Sequence, residues 1–507
     1  MESRANGLAQ YLLSRGAKHQ ASVAFYLYNG PEYTETFFAC AKASLVHVNT
    51  NYRYGVEELA YLWDNADAEV VVFHAAFTEM VELLRERLPQ IHTYLWVDDG
   101  SGSCPPWASD YEVAVNTEAP AHVSSRHGRS GDDLLLLYTG GTTGMPKGVM
   151  WRQDDLLMVT DAKNKVRLPS EPDYGPNDLS PSVIQRVKER PGPASIPACP
   201  LMHGTGLFNA LTTLTLGGSI VTLTSRRLDI PEMFDTIEQK NVKSIFIVGD
   251  AFARPMLAAL DSEPNRWDIS SLRVMISSGV MWSSESKTGL MAHNERLICV
   301  DTYGSSEAIG IGSSVSSKED AAKTASFSLS KSSAVITEDG RLVAPGSGEI
   351  GRVGVSGRVP LGYYKDPHKT ATTFPTIEGV RYSVPGDFAT VEADGTISLL
   401  GRGSVCINTG GEKVFPEEVE ESLKEFPGVD DAIVVGVPDE RFGQRVAAVV
   451  AMADPTPTHE SELIAHVKSR LAAYKAPRHV LAVDSLERAA NGKIDYKRWT
   501  TYAEERV

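Results

Sequence analysis

The 507-residue chain is short of cysteine, of net positive charge and of long unbroken apolar stretches, and each shortage removes a class of function. Its five cysteines, Cys40, Cys104, Cys199, Cys299 and Cys406, stand at least sixty residues apart, without a C-x-x-C pair or a metal-ligand spacing. Neither a disulfide framework nor a zinc site is expected, and reduced thiols in a cytoplasmic chain are the default. Lysine and arginine (49) are outnumbered by aspartate and glutamate (65), a net charge of −16. That balance excludes a nucleic-acid surface built on a basic stripe. The N-terminus, "MESRANGLAQYLLSRGAKHQ", lacks the uninterrupted apolar core of a signal peptide. The longest uncharged run, 204–225, could span a bilayer by length, but it is rich in threonine and broken by Gly217-Gly218. It reads as a buried helix, a glycine turn and a buried strand. No integral membrane contact is expected, and no basic amphipathic helix suggests a peripheral one.

What is present is alternation. "AEVVVFH" (68–74) precedes "AAFTEMVELLRERL", whose apolar residues recur at helical spacing; "SIVTLT" precedes "DIPEMFDTIEQKN", and "VKSIFIVG" precedes another helical stretch. Strands alternating with helices predict an α/β fold with parallel or mixed sheets and flanking helices. Ligands of such sheets bind beyond the carboxyl ends of the strands. Between 165 and 200 the pattern lapses into a proline-rich excursion with a helical patch near 182–188. From about 346 the texture changes to short strands and turns, a small β-barrel-like part, with a hairpin at Ala393-Asp394-Gly395. After Arg402 a compact α+β unit follows, whose helix "ESELIAHVKSRLAAY" sets Leu463, Ile464, Val467 and Leu471 on one face. The expected division is a large N-terminal domain, 1–401, a hinge, 402–405, and a small mobile C-terminal domain, 406–507.

The densest chemistry lies in "YTGGTTGMPKGV" (138–149), after four consecutive leucines. A Walker loop would place Ser or Thr after its lysine and open directly into a helix. Here Gly148 follows Lys147, and "GVMW" reads as a strand, with the helix beginning only near Asp154. The setting is strand–loop–strand. Gly140, Gly141 and Gly144 let successive N–H groups converge into an anion nest, Thr139, Thr142 and Thr143 add hydroxyl donors, and Lys147 adds charge.

Six further segments follow in order: "PLMHGTG" (200–206), "ISSGVMWS" (276–283), "DTYGSSEA" (301–308), "YSVPGDFATV" (382–391), "INTGGEKVFPEEVE" (407–420) and "RAANGKI" (488–494). With the loop, they resemble the signatures of the adenylate-forming superfamily of acyl-CoA synthetases, luciferases and adenylation domains, over about residues 20 to 500. Departures are Gly140 for the usual serine, Ser306 for threonine, Pro385 for Thr or Ser, Ala489 and Ala490 for prolines, and Ser404 for the usual charged hinge residue.

The resemblance implies that a carboxylic acid attacks the α-phosphate of ATP, giving acyl-AMP and pyrophosphate, and that CoA then takes the acyl group. It implies nucleotide contacts from the loop (Thr139 to Gly144 and Lys147), from Ser278 and Gly279 at the adenine, and from Asp301, Thr302, Tyr303, Gly304 and Ser306. It places Asp387 and Arg402 at the ribose, Mg²⁺ on Glu307, and Lys493 between carboxylate and α-phosphate. Lys493, Glu307, Ser306 and His203 are then the catalytic set. Gly410, Gly411 and Lys413 are implied at CoA, and His203, Phe208, Val280, Met281 and Trp282 at the acyl pocket. The wording around "GVMWS" and "GRGSVCINTGGEK" resembles a bacterial fatty-acyl-CoA synthetase subgroup that includes ligases for steroid side-chain acids. The alternative for the bulky residues 280–282 is that they only pack the sheet. An aryl-acid or carrier-protein-directed ligase, and a non-catalytic nucleotide-binding protein on the same fold, are the rival readings. The oligomeric state is not legible in the sequence.

Overall fold

The computed structural model describes residues 1–139, 145–160, 181–280, 282–320, 325–402, 405, 407–409, 412–439, 443–452, 457–471, 473–488 and 494–507. They form two compact units. One comprises Met1–Gly310, Val315–Lys323 and Ser356–Ser383; the other comprises Ile311–Ser314, Thr324–Val355 and Val384–Val507.

The first unit holds an eight-stranded sheet. Its order is Gly362–Tyr363, Lys147–Arg152, Leu134–Thr139, Val46–Asn49, Ser22–Tyr26, Ala68–His74, Thr93–Val97 and Ser109–Asp110. Pairing is parallel from Leu134–Thr139 outward to Ser109–Asp110, and antiparallel through Lys147–Arg152 to Gly362–Tyr363. Both faces are covered, which is why the strands read as unbroken apolar runs. In "AEVVVFH", Val70 and Val72 enter one core while Val71 and Phe73 enter the opposite one. A second parallel set runs Ser219–Ile220, Ala194–Pro197, Ser244–Ile247, Val274–Ser278 and Ile298–Ser305. Its core gathers Phe234, Phe246, Met256 and Trp282. Helix Ile230–Lys240 begins where expected because the Asp229 carboxylate accepts the Glu232 N–H at 2.9 Å and Pro231 opens the first turn.

One expectation is corrected in this unit. The strand anticipated from "SIVTLT" is only Ser219–Ile220, and it is exposed or half-exposed rather than buried. It pairs only with Ala194–Pro197 among the described strands, so one side of it lacks a ladder. The helix before it is Gly204–Thr215, and Gly217 supplies the turn with φ +70°. The helical patch of the proline-rich stretch is Pro181–Glu189, while 161–180 lie outside the described residues.

The second unit contains the antiparallel strands Ser326–Leu329, Ser333–Ile336, Gly351–Ser356, Asp387–Val391 and Thr396–Arg402. The last two form the expected hairpin, with Gly395 at φ +82°. A five-stranded sheet follows, with Gly443–Met452 paired antiparallel to Val429–Asp439 and parallel to His479–Val483. Along Val429–Asp439 the side chains alternate: Ala432 and Val434 join one core with Val419, Leu463 and Val467, and Ile433, Val435 and Val437 join another with Trp499. Ile464 and Leu471 pack against the first of these, as the helical spacing predicts. No helix among the described residues is long and apolar enough to cross a membrane.

Candidate active site

Thr139 ends the strand Leu134–Thr139 and stands opposite Lys147, the first residue of Lys147–Arg152. The two therefore flank the glycine-rich loop as a cross-strand pair, with Gly140 to Gly144 themselves outside the described residues. One position later, the Tyr138 ring lies over Gly148, where a Cβ would come within 2.8 Å of it. A strand thus stands on either side of 140–144, and the helix that follows is Gln153–Thr160.

Lys147 is not alone. Its Nζ lies 2.9 Å from Asp366 Oδ2. Asp366 also caps the helix Pro367–Thr373, accepting the Lys369 N–H at 2.9 Å. That N–H, and then the Lys147 ammonium, hold the Asp366 carboxyl below its ordinary range. The same short segment reaches the acidic motif. Tyr363 is paired beside Val149, and its hydroxyl donates to Glu307 Oε1 at 2.7 Å. Ser383 donates to the Glu307 carbonyl oxygen at 2.7 Å, and the Glu307 N–H donates to Ser305 Oγ at 3.2 Å. Trp151, fully buried, donates its indole N–H to the Ser306 carbonyl at 2.9 Å. The turn carrying Ser306 and Glu307 is thus held by Trp151 of the hairpin itself, by Tyr363 of the strand paired with it, and by Ser383 of Val380–Ser383.

Strands Val274–Ser278 and Ile298–Ser305 run side by side, with Ser278 opposite Thr302 and Thr302 Oγ1 donating to the Ser277 carbonyl at 2.9 Å. Gly279 leaves the first strand at φ +94°, a conformation that suits glycine. Along the second strand Asp301 and Tyr303 are buried, whereas Thr302 and Gly304 are half-buried. The Asp301 carboxylate forms a buried ion pair, its Oδ2 lying 3.2 Å from Lys287 Nζ. Lys287 Nζ also lies 5.3 Å from the centre of the Trp282 ring. Trp282 is fully buried in the core and Val280 packs against that core. Met281 lies outside the described residues. His203 is the residue before helix Gly204–Thr215, and Phe208, in its second turn, covers Gly204 at 2.9 Å from a would-be Cβ. Both are half-buried.

In the second unit, Asp387 is buried and stands directly opposite Arg402 across the hairpin. Lys413 lies on the strand Glu412–Val414, with its backbone opposite Asn408. Gly410, Gly411 and Lys493 lie outside the described residues. On either side of the last motif, Arg488 forms a two-pronged ion pair with Asp431 (2.6 and 2.9 Å), and the Tyr496 hydroxyl donates to the buried Glu420 at 3.1 Å.

Among the described residues no cluster of three or more His, Cys, Asp or Glu could hold a metal ion unaided. One carboxylate at Glu307 fits an ion that arrives already bound to phosphate, the usual habit of Mg²⁺.

Residues 1–364 match the model of the AMP-binding enzymes, and residues 418–493 match that of the AMP-binding enzyme C-terminal domain. The chain belongs to the AMP-binding enzyme family. Within it, the chain is an acid–thiol ligase of the CoA-ligase group. It is 39% identical to a 3-oxocholest-4-en-26-oate–CoA ligase of Rhodococcus rhodochrous, covering 98% of this chain and 89% of that one. It is also 39% identical to the medium-chain acyl-CoA ligase Mig of Mycobacterium avium, covering 98% and 91%. The fold matches that of the anthranilate CoA ligase AuaEII solved with anthranoyl-AMP, at a TM-score of 0.82, 21% identity and coverage of 99% and 91%.

For this AMP-binding enzyme, Tyr363 and Asp366 are the partners of the candidate site residues Glu307 and Lys147 that sequence reading missed. The only signal was Asp-Pro at 366–367, which marks a helix start but names no partner.

Proposed function

We propose that this chain converts a fatty or steroid side-chain carboxylic acid to its CoA thioester through an acyl-adenylate, at the expense of ATP. The observation that carries the reading is the convergence of Lys147 and Glu307 on one short segment, with Asp366 and Tyr363 as their partners. The full-length likeness to ligases for such acids supports the substrate class.

The acid, with an ordinary carboxyl pKa near ~4.5, is ionised at neutral pH and needs no general base. The obstacle is repulsion between its carboxylate and the phosphates, so the chain's own contribution is electrostatic. Lys147 and the loop N–H groups would hold the β- and γ-phosphates, the departing pyrophosphate. Glu307 would hold Mg²⁺, which neutralises phosphate charge when bound. Ser306 would meet the α-phosphate, and Ser278, Gly279 and the backbone of 301–304 the base and its surroundings. Asp387 would accept from the ribose hydroxyls with Arg402 assisting, and Lys493 would bridge the carboxylate and the α-phosphate. His203, Phe208, Val280 and Met281 would border the acyl group, with Trp282 supporting them from the core.

In the second step the CoA thiol attacks the adenylate carbonyl, the acyl C–O bond breaks and AMP leaves. Gly410, Gly411 and Lys413 would contact CoA after a rotation about 402–405, so that 1–401 and 406–507 act as the functional domains and Ser404 sits at the turning point. A cytoplasmic location accords with the sequence expectation and with ATP and CoA as substrates.

The test is pyrophosphate and AMP release over a panel of fatty, steroid side-chain and aryl acids, with and without CoA. AMP formation stimulated by CoA with the first two classes is expected. Preference for aryl acids would replace the substrate class, and absence of turnover with every acid would leave only a nucleotide-binding protein.

A further inference from the structure

Two asparagines that no motif contains hold the histidine loop, and one of them also holds the phosphate strand. Asn49 ends the strand Val46–Asn49, which pairs with Leu134–Thr139 only at Val48 and Leu136. Beyond that point the side chain of Asn49 takes over from the backbone ladder. Its Oδ1 accepts the Tyr138 N–H at 2.5 Å, and its Nδ2 donates to the Tyr138 carbonyl at 2.9 Å. The second Nδ2 hydrogen reaches the Met202 carbonyl at 2.8 Å. Asn49 is 3% exposed, and Tyr138 and Met202 are buried with it. One amide therefore engages both backbone groups of Tyr138, the residue before Thr139, and the carbonyl of the residue before His203.

Asn29, beyond the end of the neighbouring strand Ser22–Tyr26, fastens the same histidine loop without touching the phosphate strand. Its Nδ2 donates to the carbonyls of Pro197 and Cys199, each at 3.1 Å, and its Oδ1 accepts the Leu201 N–H at 2.7 Å. The loop closes on itself through the His203 N–H to the Pro200 carbonyl at 3.1 Å. Loop 197–203 is thus held by two side chains, only one of which is shared with the phosphate hairpin.

We infer that Asn49 is a positioning residue that sets the spacing between the phosphate-binding and acid-binding halves of the site, and that Asn29 positions the acid-binding half alone. This rests on the reading of Lys147 as a phosphate ligand and of His203 as an acid-side residue. The physical reason is that an amide with all its polar groups satisfied in a buried setting has one geometry, whereas a truncated one leaves backbone groups unpaired and free to shift.

The experiment measures ATP-dependent pyrophosphate release with decanoate for Asn49→Ala, Asn29→Ala and the reference variants Lys147→Ala and His203→Ala, alongside thermal unfolding. Asn29→Ala is expected to raise KM for decanoate about five- to tenfold while KM for ATP stays within about twofold. Asn49→Ala is expected to raise both by about five- to tenfold. Should Asn49→Ala not fold, Asn49→Ser, shorter but still able to hydrogen-bond, carries the same test. If Asn49 variants move only one KM, or lose activity only in proportion to lost folded protein, the coupling is overturned while the references stand. If His203→Ala leaves KM for decanoate unchanged, or Lys147→Ala leaves that for ATP unchanged, the underlying reading of the site falls instead.

Discussion

At Lys147 the ammonium group already has an anion beside it, and on the proposed reading the phosphates of ATP would compete with that anion. The pair with Asp366 is partly exposed (42% and 29% of the side chains), so it is worth little in stability, on the order of 0.2–1 kcal/mol. Asp366→Asn keeps an N-cap for Pro367–Thr373 but removes the competing charge. KM for ATP is expected to fall about two- to fivefold, with thermal stability nearly unchanged; a rise in KM would mean that Asp366 holds Lys147 in place during catalysis. Tyr363→Phe removes the hydroxyl that fixes Glu307 Oε1. A hydrogen bond to a charged group is worth about 1.5–3 kcal/mol, so kcat/KM should drop roughly tenfold or more, with half-saturation moved to higher Mg²⁺ in a titration at fixed ATP. Lys493→Ala should lower adenylation by on the order of 10²–10³, the usual loss for one preorganised charge at a transition state. Near-normal pyrophosphate release from that variant would remove Lys493 from the catalytic set.

Among elements, the hairpin of Leu134–Thr139 and Lys147–Arg152 is the structural base of the proposed phosphate site, and its close approach at Gly148 limits what it tolerates. A Cβ there would meet the Tyr138 ring at 2.8 Å, and Tyr138 cannot swing away freely because its hydroxyl donates to Asn65 at 2.6 Å and its backbone is held by Asn49. Gly148→Ala should therefore cost about 1–3 kcal/mol, read as a lowered unfolding midpoint and a raised KM for ATP. An unchanged midpoint would show that the ring can give way. The strands Val274–Ser278 and Ile298–Ser305 depend in turn on Lys287 and Asp301, a buried pair whose disruption leaves one charge stranded.

At the scale of the whole molecule, the second unit carries a titratable group in its core. Burial pushes the Glu420 carboxyl above its ordinary 4.5, so the folded unit binds this proton more tightly than the unfolded chain does. Its stabilising contribution is complete below pH 4.5 and is lost as pH rises through the raised folded value. Glu420→Gln, which keeps an acceptor for Val434 N–H and Tyr496 OH, should gain stability relative to the parent as pH increases above 4.5. A constant difference across that range would assign the effect to packing.

The same molecule shows how far a sequence carries. Alternation of strand and helix was legible because side-chain period is a local property, as "AEVVVFH" shows by dividing its residues between two cores. "SIVTLT" misled because, among the described strands, its strand pairs on one side only, and sheet order is not a local property. The types and order of the chemical groups, Lys147, His203, Glu307, Asp387 and Lys493, were determined by the sequence alone, since each stands in a motif a few residues long. Their partners were not. Asp366 lies 219 residues from Lys147, Met202 lies 153 from Asn49, and Tyr363 lies 56 from Glu307. Only the stacking of Lys147–Arg152 between Leu134–Thr139 and Gly362–Tyr363 brings the first and third pairs together, because a side-chain hydrogen bond reaches about 3 Å and the chain between its ends must be folded first.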